Sequence, residues 1–347
     1  MSTIPQALPT FCFCWGSGAG GALGIDRKGS PKKIELKPTA LQFKSSLMYP
    51  EEIFAGYKRN VVVFDSGSSY SWGCGPLGYS KKNSLVSPEP RQIKHGFRLL
   101  KISHGECHST ILTHCGAVLV FGDASGGKLG LGKKKCRGEI LAPVQVPFLK
   151  EKKCIDVSCS FYSTSVVVED GSIVTFGSHP AAKRKREIKP STFTFSTKMM
   201  SIASGTNHSV AISNDGNCFT WGLAENGRLG HAFVDDLNFI SNPKCVEFFF
   251  ERRIKICKVA CGAAHTVCAS DSSKLFSFGW NVYGQCGMDY KVSENVLVPY
   301  EIQFNDRLIN QIDCGFGHSA IICSEEHLYT WGFNGEGRIL AFTVLSI

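Results

Sequence analysis

Short runs in which every second residue is apolar recur along the chain, and polar turns break them. HSVAIS-NDG-NCFTWG (208–222) is one such unit. A period of two predicts half-buried or buried strands, and a D-G step between two of them predicts a tight hairpin, because the turn needs a residue with φ > 0. Asp170-Gly171 and Asp215-Gly216 supply that step. The runs also repeat one another. One phrase reads ISHGECHSTIL (102–112), IASGTNHSVAI (202–212), VACGAAHTVCA (259–269) and IDCGFGHSAII (312–322), with weaker copies IFAGYKRNVVV (53–63) and VSCSFYSTSVV (157–167). A second phrase is an aromatic residue followed by Gly: Trp15-Gly16, Trp72-Gly73, Phe121-Gly122, Phe176-Gly177, Trp221-Gly222, Phe278-Gly279 and Trp331-Gly332.

The distance from the first phrase to the second does not vary. The leading Gly of the first and the Gly of the second stand at 56 and 73, 105 and 122, 205 and 222, 262 and 279, and 315 and 332, always 17 apart. Ser160 and Gly177 keep that interval. The stretch from one aromatic-Gly pair to the next phrase takes 40, 32, 38, 28, 40 and 36 residues. A fixed segment is what paired strands require, since a slip of one residue would turn every core side chain outward. The variable stretches then hold the loops. Repeats of about 50 residues, each with about four short strands, are the size of a propeller blade. Each blade buries its faces against its neighbours, so none should be stable alone.

The joint pattern G-x-x-H-S/T, a D/N-G turn, then W-G-x-N-x-x-G-x-L-G resembles the repeat of the regulator of chromosome condensation family. Gly205, His208, Ser209, Asp215, Gly216, Trp221, Gly222, Asn226, Gly227, Leu229 and Gly230 carry the match. Leu23-Gly24, Leu77-Gly78 and Leu129-Gly130 repeat its end, with Cys286-Gly287 as a variant. The resemblance extends from about Phe11 to Gly337. The paired-Gly signature of kelch repeats, which have a similar length, is absent. The resemblance implies an all-β, seven-bladed β-propeller, one domain over 1–347, with repeat units at about 11–55, 56–104, 105–159, 160–204, 205–261, 262–314 and 315–347. The last blade is expected to be incomplete. Seven aromatic-Gly pairs meet only six preceding phrases, and the family's closing phrase after the seventh pair is missing. A product truncated or alternatively terminated at the C-terminus is therefore expected, with the strand around Phe11–Trp15 short of partners.

Composition narrows the function. The 347 residues are 43% hydrophobic and 19% charged, which excludes wholesale disorder. No apolar run reaches the length of a membrane span, and the N-terminus lacks the layout of a signal peptide. The 16 Cys contain no C-x-x-C pair and no zinc-ligand spacing, so they read as reduced, packed thiols. GSGAGG (16–21) matches G-x-G-x-x-G, but ALGIDRKGSPKK cannot supply the helix a dinucleotide needs, and the repeat register makes it a blade loop. No cofactor, metal or catalytic residue is assigned. Gly105, His108, Gly205, His208, Gly262, His265, Gly315 and His318 are read as structural: each His sits in its own blade, bonds a backbone group and locks the hairpin. Arg59 and Ser163 at the same register show that a blade can do without it.

Net charge is +9, and the basic residues gather just after the aromatic-Gly segments. IDRKGSPKK (25–33), YSKK (79–82), LGKKKCR (131–137) and HPAAKRKREIK (179–189) carry +3, +2, +4 and +4, together +13. The next two such loops, 231–242 and 288–296, carry −2 and −1. Equivalent loops leave one side of a propeller disc, so part of one face should be strongly positive. Lys133, Lys134, Lys135, Arg137, Lys183, Arg184, Lys185 and Arg186 are the candidate partner-binding residues, for chromatin, an acidic protein or non-specific nucleic acid backbone. Lys183–Arg186 also has the form of a nuclear import signal, so the chain is expected in nucleus or cytoplasm, as a monomer. The resemblance implies a non-catalytic interaction scaffold or, alternatively, a guanine nucleotide exchange factor for a Ran-like small GTPase. The exchange factor carries an acidic residue before one phrase His. Here Lys58, Cys107, Tyr162, Asn207, Ala264 and Gly317 stand there. The family's UV-B sensor carries Trp after the phrase Gly, where this chain has Tyr57, Glu106, Phe161, Thr206, Ala263 and Phe316.

Overall fold

The computed structural model describes residues 12–25, 34–41, 43, 49–79, 86–132, 138–177, 189–232, 239–304, 308–324 and 327–335. The alternating runs form antiparallel strands, joined into wedge-shaped sheets in chain order. A two-stranded ribbon, β1 (Phe13–Ser17) and β2 (Ile34–Ala40), comes first. Wedge I holds β3 (Pro50–Ala55), β4 (Arg59–Phe64), β5 (Ser69–Cys74) and β6 (Val86–Ile93). Wedge II holds β7 (Leu99–His104), β8 (His108–Thr113), β9 (Val118–Asp123) and β10 (Glu139–Gln145). Wedge III holds β11 (Cys154–Cys159), β12 (Ser163–Val168), β13 (Ile173–Gly177) and β14 (Ser191–Phe193). Wedge IV holds β15 (Met199–Ser204), β16 (His208–Ser213), β17 (Cys218–Leu223) and β18 (Phe239–Cys245). Wedge V holds β19 (Ile256–Cys261), β20 (His265–Ser270), β21 (Leu275–Trp280) and β22 (Asn295–Ile302). Wedge VI has three strands, β23 (Ile309–Cys314), β24 (His318–Cys323) and β25 (Leu328–Gly332).

The molecule is an all-β propeller with six wedges among the described residues, where the sequence pattern counts seven. The discrepancy has a simple origin. Trp15-Gly16 lies on β1, but no phrase precedes it, and among the described residues β1 pairs with β2 alone. The expected incomplete last wedge is compatible with the three strands that wedge VI has among the described residues. A unit counted from its phrase Gly begins after the first strand of a sheet, so each sheet takes that strand from the end of the preceding unit.

The first strands form the hub. β3 packs on β7, β7 on β11, β11 on β15, β15 on β19 and β19 on β23. The apolar core lies between wedges rather than within them. Val120 and Leu129 of wedge II pack with Val166 and Phe176 of wedge III, and Val210 and Cys218 of wedge IV with Cys268, Phe276 and Phe278 of wedge V. Phe121, Phe176 and Phe278, from the aromatic-Gly pairs, are each at most 1% exposed. Burying one such ring contributes about 1.5–3 kcal/mol, all of it at an interface. Polar stitches cross the same seams. Asp156 accepts from Lys101 Nζ of wedge II at 2.6 Å, from its own neighbour Val157 N at 2.8 Å and from Ile202 N of wedge IV at 2.8 Å.

Candidate docking face

The first-to-second strand loop of each wedge is the phrase, and the third strand ends against it. Cys74 N donates to Lys58 O at 2.7 Å, Asp123 N to Cys107 O at 2.8 Å, Leu223 N to Asn207 O at 2.8 Å, Trp280 N to Ala264 O at 2.8 Å and Phe333 N to Gly317 O at 2.7 Å. The third strands therefore end on the face of the disc that carries the phrase loops.

The phrase His is buried on this side and looks to the next wedge. His108 Nε2 lies 3.0 Å from Thr164 Oγ1, His208 Nε2 3.0 Å from Thr266 Oγ1 and His265 Nε2 2.9 Å from Ser319 Oγ. Each hydroxyl then donates to a backbone carbonyl of the His-bearing wedge: Lys128 at 2.9 Å, Arg228 at 3.1 Å and Gln285 at 2.9 Å. With its proton committed to the carbonyl, the hydroxyl can only accept from the imidazole. The ring is thus the neutral tautomer with hydrogen on Nε2. Burial holds these rings neutral: the pKa of His108 and of His265 falls to about 3, and that of His208 well below its ordinary value. The histidine bond crosses a seam, and this differs from the bond inside one hairpin that the sequence suggested.

The phrase Gly is explained by the same ring. A Cβ on Gly105 would stand 2.5 Å from His108 Cε1 and 2.7 Å from Nδ1. Gly205, Gly262 and Gly315 face His208, His265 and His318 in the same way. The Gly of the aromatic-Gly pair has a separate reason: Gly222 sits at φ 109°, and a Cβ there would run into the Asn207 carbonyl.

Wedge I has Arg59 in the histidine slot and solves the seam differently. The guanidinium is 2% exposed and donates from Nη1 to Pro76 O at 3.3 Å, and from Nη2 to Gly105 O at 3.4 Å and to Glu106 O of wedge II. Pro76 holds the position before Leu-Gly that Lys128, Arg228 and Gln285 hold elsewhere, so Arg59 reaches the carbonyl without an intervening hydroxyl. One position on, Asn60 Nδ2 donates at 2.7 Å to Ala22 O, the carbonyl before Leu23-Gly24 of the ribbon turn. The ribbon thus meets wedge I as wedge II meets wedge III, IV meets V and V meets VI.

Lys133, Lys134, Lys135, Arg137, Lys183, Arg184, Lys185 and Arg186 lie outside the described residues; the strands flanking them, β9, β10, β13 and β14, are described. Among the described residues there is no group of three or more His, Cys, Asp or Glu that could hold a metal ion, and no helix long and apolar enough to cross a membrane. GSGAGG does not open a helix. Ala19–Gly21 is a 3-10 turn with Gly20 at φ 68°, the counterpart of Ser125–Gly127 and Glu225–Gly227 in wedges II and IV.

The hydroxyl partners are the functional positions that the sequence reading did not assign. Their signal was the Ser or Thr after the phrase His at 109, 209, 266 and 319, and after Ser163 at 164. Aromatic residues just after the phrase Gly also meet on this face. Tyr57 of wedge I has its ring centroid 6.2 Å from Phe161 of wedge III and 6.4 Å from Phe316 of wedge VI.

A sequence profile of the regulator of chromosome condensation (RCC1) repeat matches residues 116–167, 215–269 and 272–322, and a second profile of that repeat matches 201–228, 256–285 and 309–338. Ultraviolet-B receptor UVR8 of Arabidopsis thaliana is 27% identical over 338 residues, which cover 94% of this chain and 73% of the receptor. E3 ubiquitin-protein ligase HERC2 of Mus musculus is 24% identical over 321 residues, 88% of this chain but only 6% of that protein. Among solved structures, Prp20p of Saccharomyces cerevisiae, described with its binding to Gsp1p and histones, superposes with a TM-score of 0.80 at 20% identity. The match covers 96% of this chain and 83% of that one. Human WBSCR16 superposes with a TM-score of 0.79 at 20% identity over 94% and 90%. On these matches and on the seams described above, the chain belongs to the regulator of chromosome condensation repeat family.

Proposed function

We propose that this propeller is a non-catalytic interaction scaffold that docks an acidic partner, such as chromatin or an acidic protein, on its phrase face. One observation carries the reading. The third strands of wedges I and II end bonded to the phrase loops, and in the sequence the basic segments 25–33, 79–82, 131–137 and 179–189 all follow that point of the repeat. The +13 of those four segments would then gather on one side. The Prp20p structure is described with binding to histones, which favours chromatin as the partner. We also assign the ribbon as the outer half of a seventh blade, because Asn60 meets Ala22 as Thr164 meets Lys128. Lys183–Arg186 would serve nuclear import.

Reversing Lys133, Lys134, Lys135 and Lys183–Arg186 to Glu should weaken binding to nucleosomes and to heparin at least tenfold at low salt, and flatten the salt dependence. Unchanged binding would overturn the reading. The second reading, exchange on a Ran-like GTPase, draws on the likeness to Prp20p and its described binding to Gsp1p. Against it, none of Lys58, Cys107, Tyr162, Asn207, Ala264 and Gly317 is acidic. Release of labelled GDP from a small-GTPase panel separates the two: acceleration by several orders of magnitude would favour exchange.

A further inference from the structure

The seams fix what each face of a wedge meets, and two faces lack their counterpart among the described residues. The fourth residue of a first strand packs on the preceding wedge: Ile102 on Val61 and Val63 of wedge I, and Ile202 on Val167 and Ile173 of wedge III, each at most 3% exposed. Ile53 holds that place on β3 and is 47% exposed. In wedge IV the side that meets the next wedge carries Val210, Ile212 and Cys218, at most 4% exposed. Ala320, Ile322 and Leu328 hold those places in wedge VI and are only half-buried. The ribbon covers the outer part of wedge I, where Val62, Phe64 and Trp72 are buried with Cys12 and Leu41. The inner part of the gap between wedges VI and I is therefore a slot with an apolar wall on each side.

Polar groups in the slot repeat the register of groups that hold a hairpin elsewhere. Ser103, fifth on β7, accepts from Cys159 N of wedge III at 2.9 Å, and Asp156, third on β11, accepts from Ile202 N of wedge IV at 2.8 Å. Asp313 and Gln311 are fifth and third on β23 and exposed, and the described residues give neither a donor from a following wedge. Asn60 stands where Thr164, Thr266 and Ser319 stand. Their hydroxyls accept from a phrase His and donate to a carbonyl of the His-bearing wedge. Asn60 Nδ2 donates to Ala22 O at 2.7 Å, and its Oδ1 has no donor among the described residues. The slot thus offers the acceptors that a first strand and a phrase His would use. We propose that it docks a β-hairpin of the phrase type, G-x-x-H-S/T, carried by a separate protein. The six phrases in residues 1–347 all sit in wedges, so the hairpin comes from another polypeptide. Its first strand gives the N–H of its fourth and sixth residues to Gln311 and Asp313, packs its apolar fourth residue on Ala320 and Ile322, and covers Ile53 with the other side. Its His donates from Nε2 to Asn60 Oδ1. Main-chain bonds give such strand addition its affinity, and the side-chain pockets give it selectivity. The proposal rests on the assignment of the ribbon as the outer half of a seventh blade, and adds what completes the inner half.

The probe is a fluorescein-labelled peptide of residues 199–217, one complete phrase hairpin of this chain, titrated against the full chain. It should bind at least about tenfold more tightly than its His208→Ala form, the effect of one buried hydrogen bond, and raise Tm by about 4 °C at saturation. A second form joins the same hairpin to the C-terminus through a Gly-Ser linker, so that a free peptide that stays unfolded does not decide the matter; it should show the same rise. Ile53→Arg should abolish both effects and keep the wild-type Tm of the unbound chain, because the side chain stands half in water. Asn60→Ala should erase the preference for His208, and Asn60→Thr, which restores the hydroxyl of the other seams, should keep it. No binding and no gain in Tm from the linked hairpin would overturn the slot, as would binding indifferent to Ile53→Arg. Binding lost in Ile53→Arg with the His preference intact in Asn60→Ala would leave the slot and refute the seventh-blade reading of the ribbon. A dimer dissociated by Ile53→Arg would make a second copy the occupant. A peptide tightened about tenfold by removal of residues 336–347 would make this chain its own occupant. Either result would overturn the choice of a separate protein.

Discussion

Replacing Thr266 with Val tests the seam directly. Val matches Thr in shape and removes only the hydroxyl, which stands between His208 Nε2 at 3.0 Å and Arg228 O at 3.1 Å. Thr266 is fully buried and His208 is 1% exposed, so no water replaces it. The substitution leaves the imidazole N–H without an acceptor and the Arg228 carbonyl without this donor. Each buried orphan costs about 1–3 kcal/mol, and the pair about 2–6 kcal/mol. The urea midpoint should fall by about 1 M with little change in slope. The cost should be shared: in a His208→Phe background, Thr266→Val should cost less by at least about 1 kcal/mol, because half of the chain of bonds is already gone. Ser109→Ala is the internal control. At that seam Arg59 donates straight to Pro76 O, and the Ser109 hydroxyl meets His104 Nδ1 at 2.9 Å instead, so its loss should be milder than that of Thr266. A Thr266→Val cost under about 0.5 kcal/mol, or costs that simply add in the double variant, would refute the relay.

Two further outcomes follow from the same geometry. His108 and His265 stay neutral in the fold down to about pH 3, while an unfolded chain protonates them near pH 6.5, so stability is full above about pH 6.5 and falls towards pH 3 by about 2 kcal/mol per ring at pH 5. Thermal melts between pH 7.5 and 5 should show it, His265→Phe should lessen the slope, and a flat profile would contradict burial as the cause. Gly105→Ala should cost about 3 kcal/mol by chemical denaturation, because its Cβ would run into the Ser160 carbonyl oxygen of wedge III and stand 2.5 Å from the His108 ring; a variant with wild-type stability would show that this seam can open without cost.

Much of this was legible in the sequence because it depends on local period and on interval. The hairpins follow from alternation, and the register of His208 with Gly222 and of Val210 with Thr220 is the one the pattern demands. Two things were not legible. The partner of the phrase His lies 54–58 residues away, in the next wedge, and a single sequence does not couple positions at that distance. The count of blades also differs, because an aromatic-Gly pair marks a third strand, and the strand of Trp15-Gly16 pairs with a single other strand among the described residues. In the sequence Tyr57, Phe161 and Phe316 read only as departures from Trp. Their meeting depends on ring closure, which brings together wedges far apart in the chain.

The seams also explain why the interval of 17 is constant while the connectors vary. The segment begins at the phrase Gly and ends at the aromatic-Gly pair, and those two ends touch: Asn207 O accepts from Leu223 N, and His208 pairs with Gly222. Any insertion between them would slide the hairpin and take the imidazole from its hydroxyl. The carbonyl that completes the relay comes six residues after the aromatic-Gly Gly: Gly122 to Lys128, Gly222 to Arg228, Gly279 to Gln285. The rigid part of the repeat is therefore longer than the hairpin. It runs from the phrase through the Leu-Gly turn, and only beyond that turn can the chain change in length and charge without cost to a seam. That is where the basic residues lie. Equivalent connectors of +4 and −2 sit on wedges built by one rule, so selection for a partner can act on them without disturbing the disc.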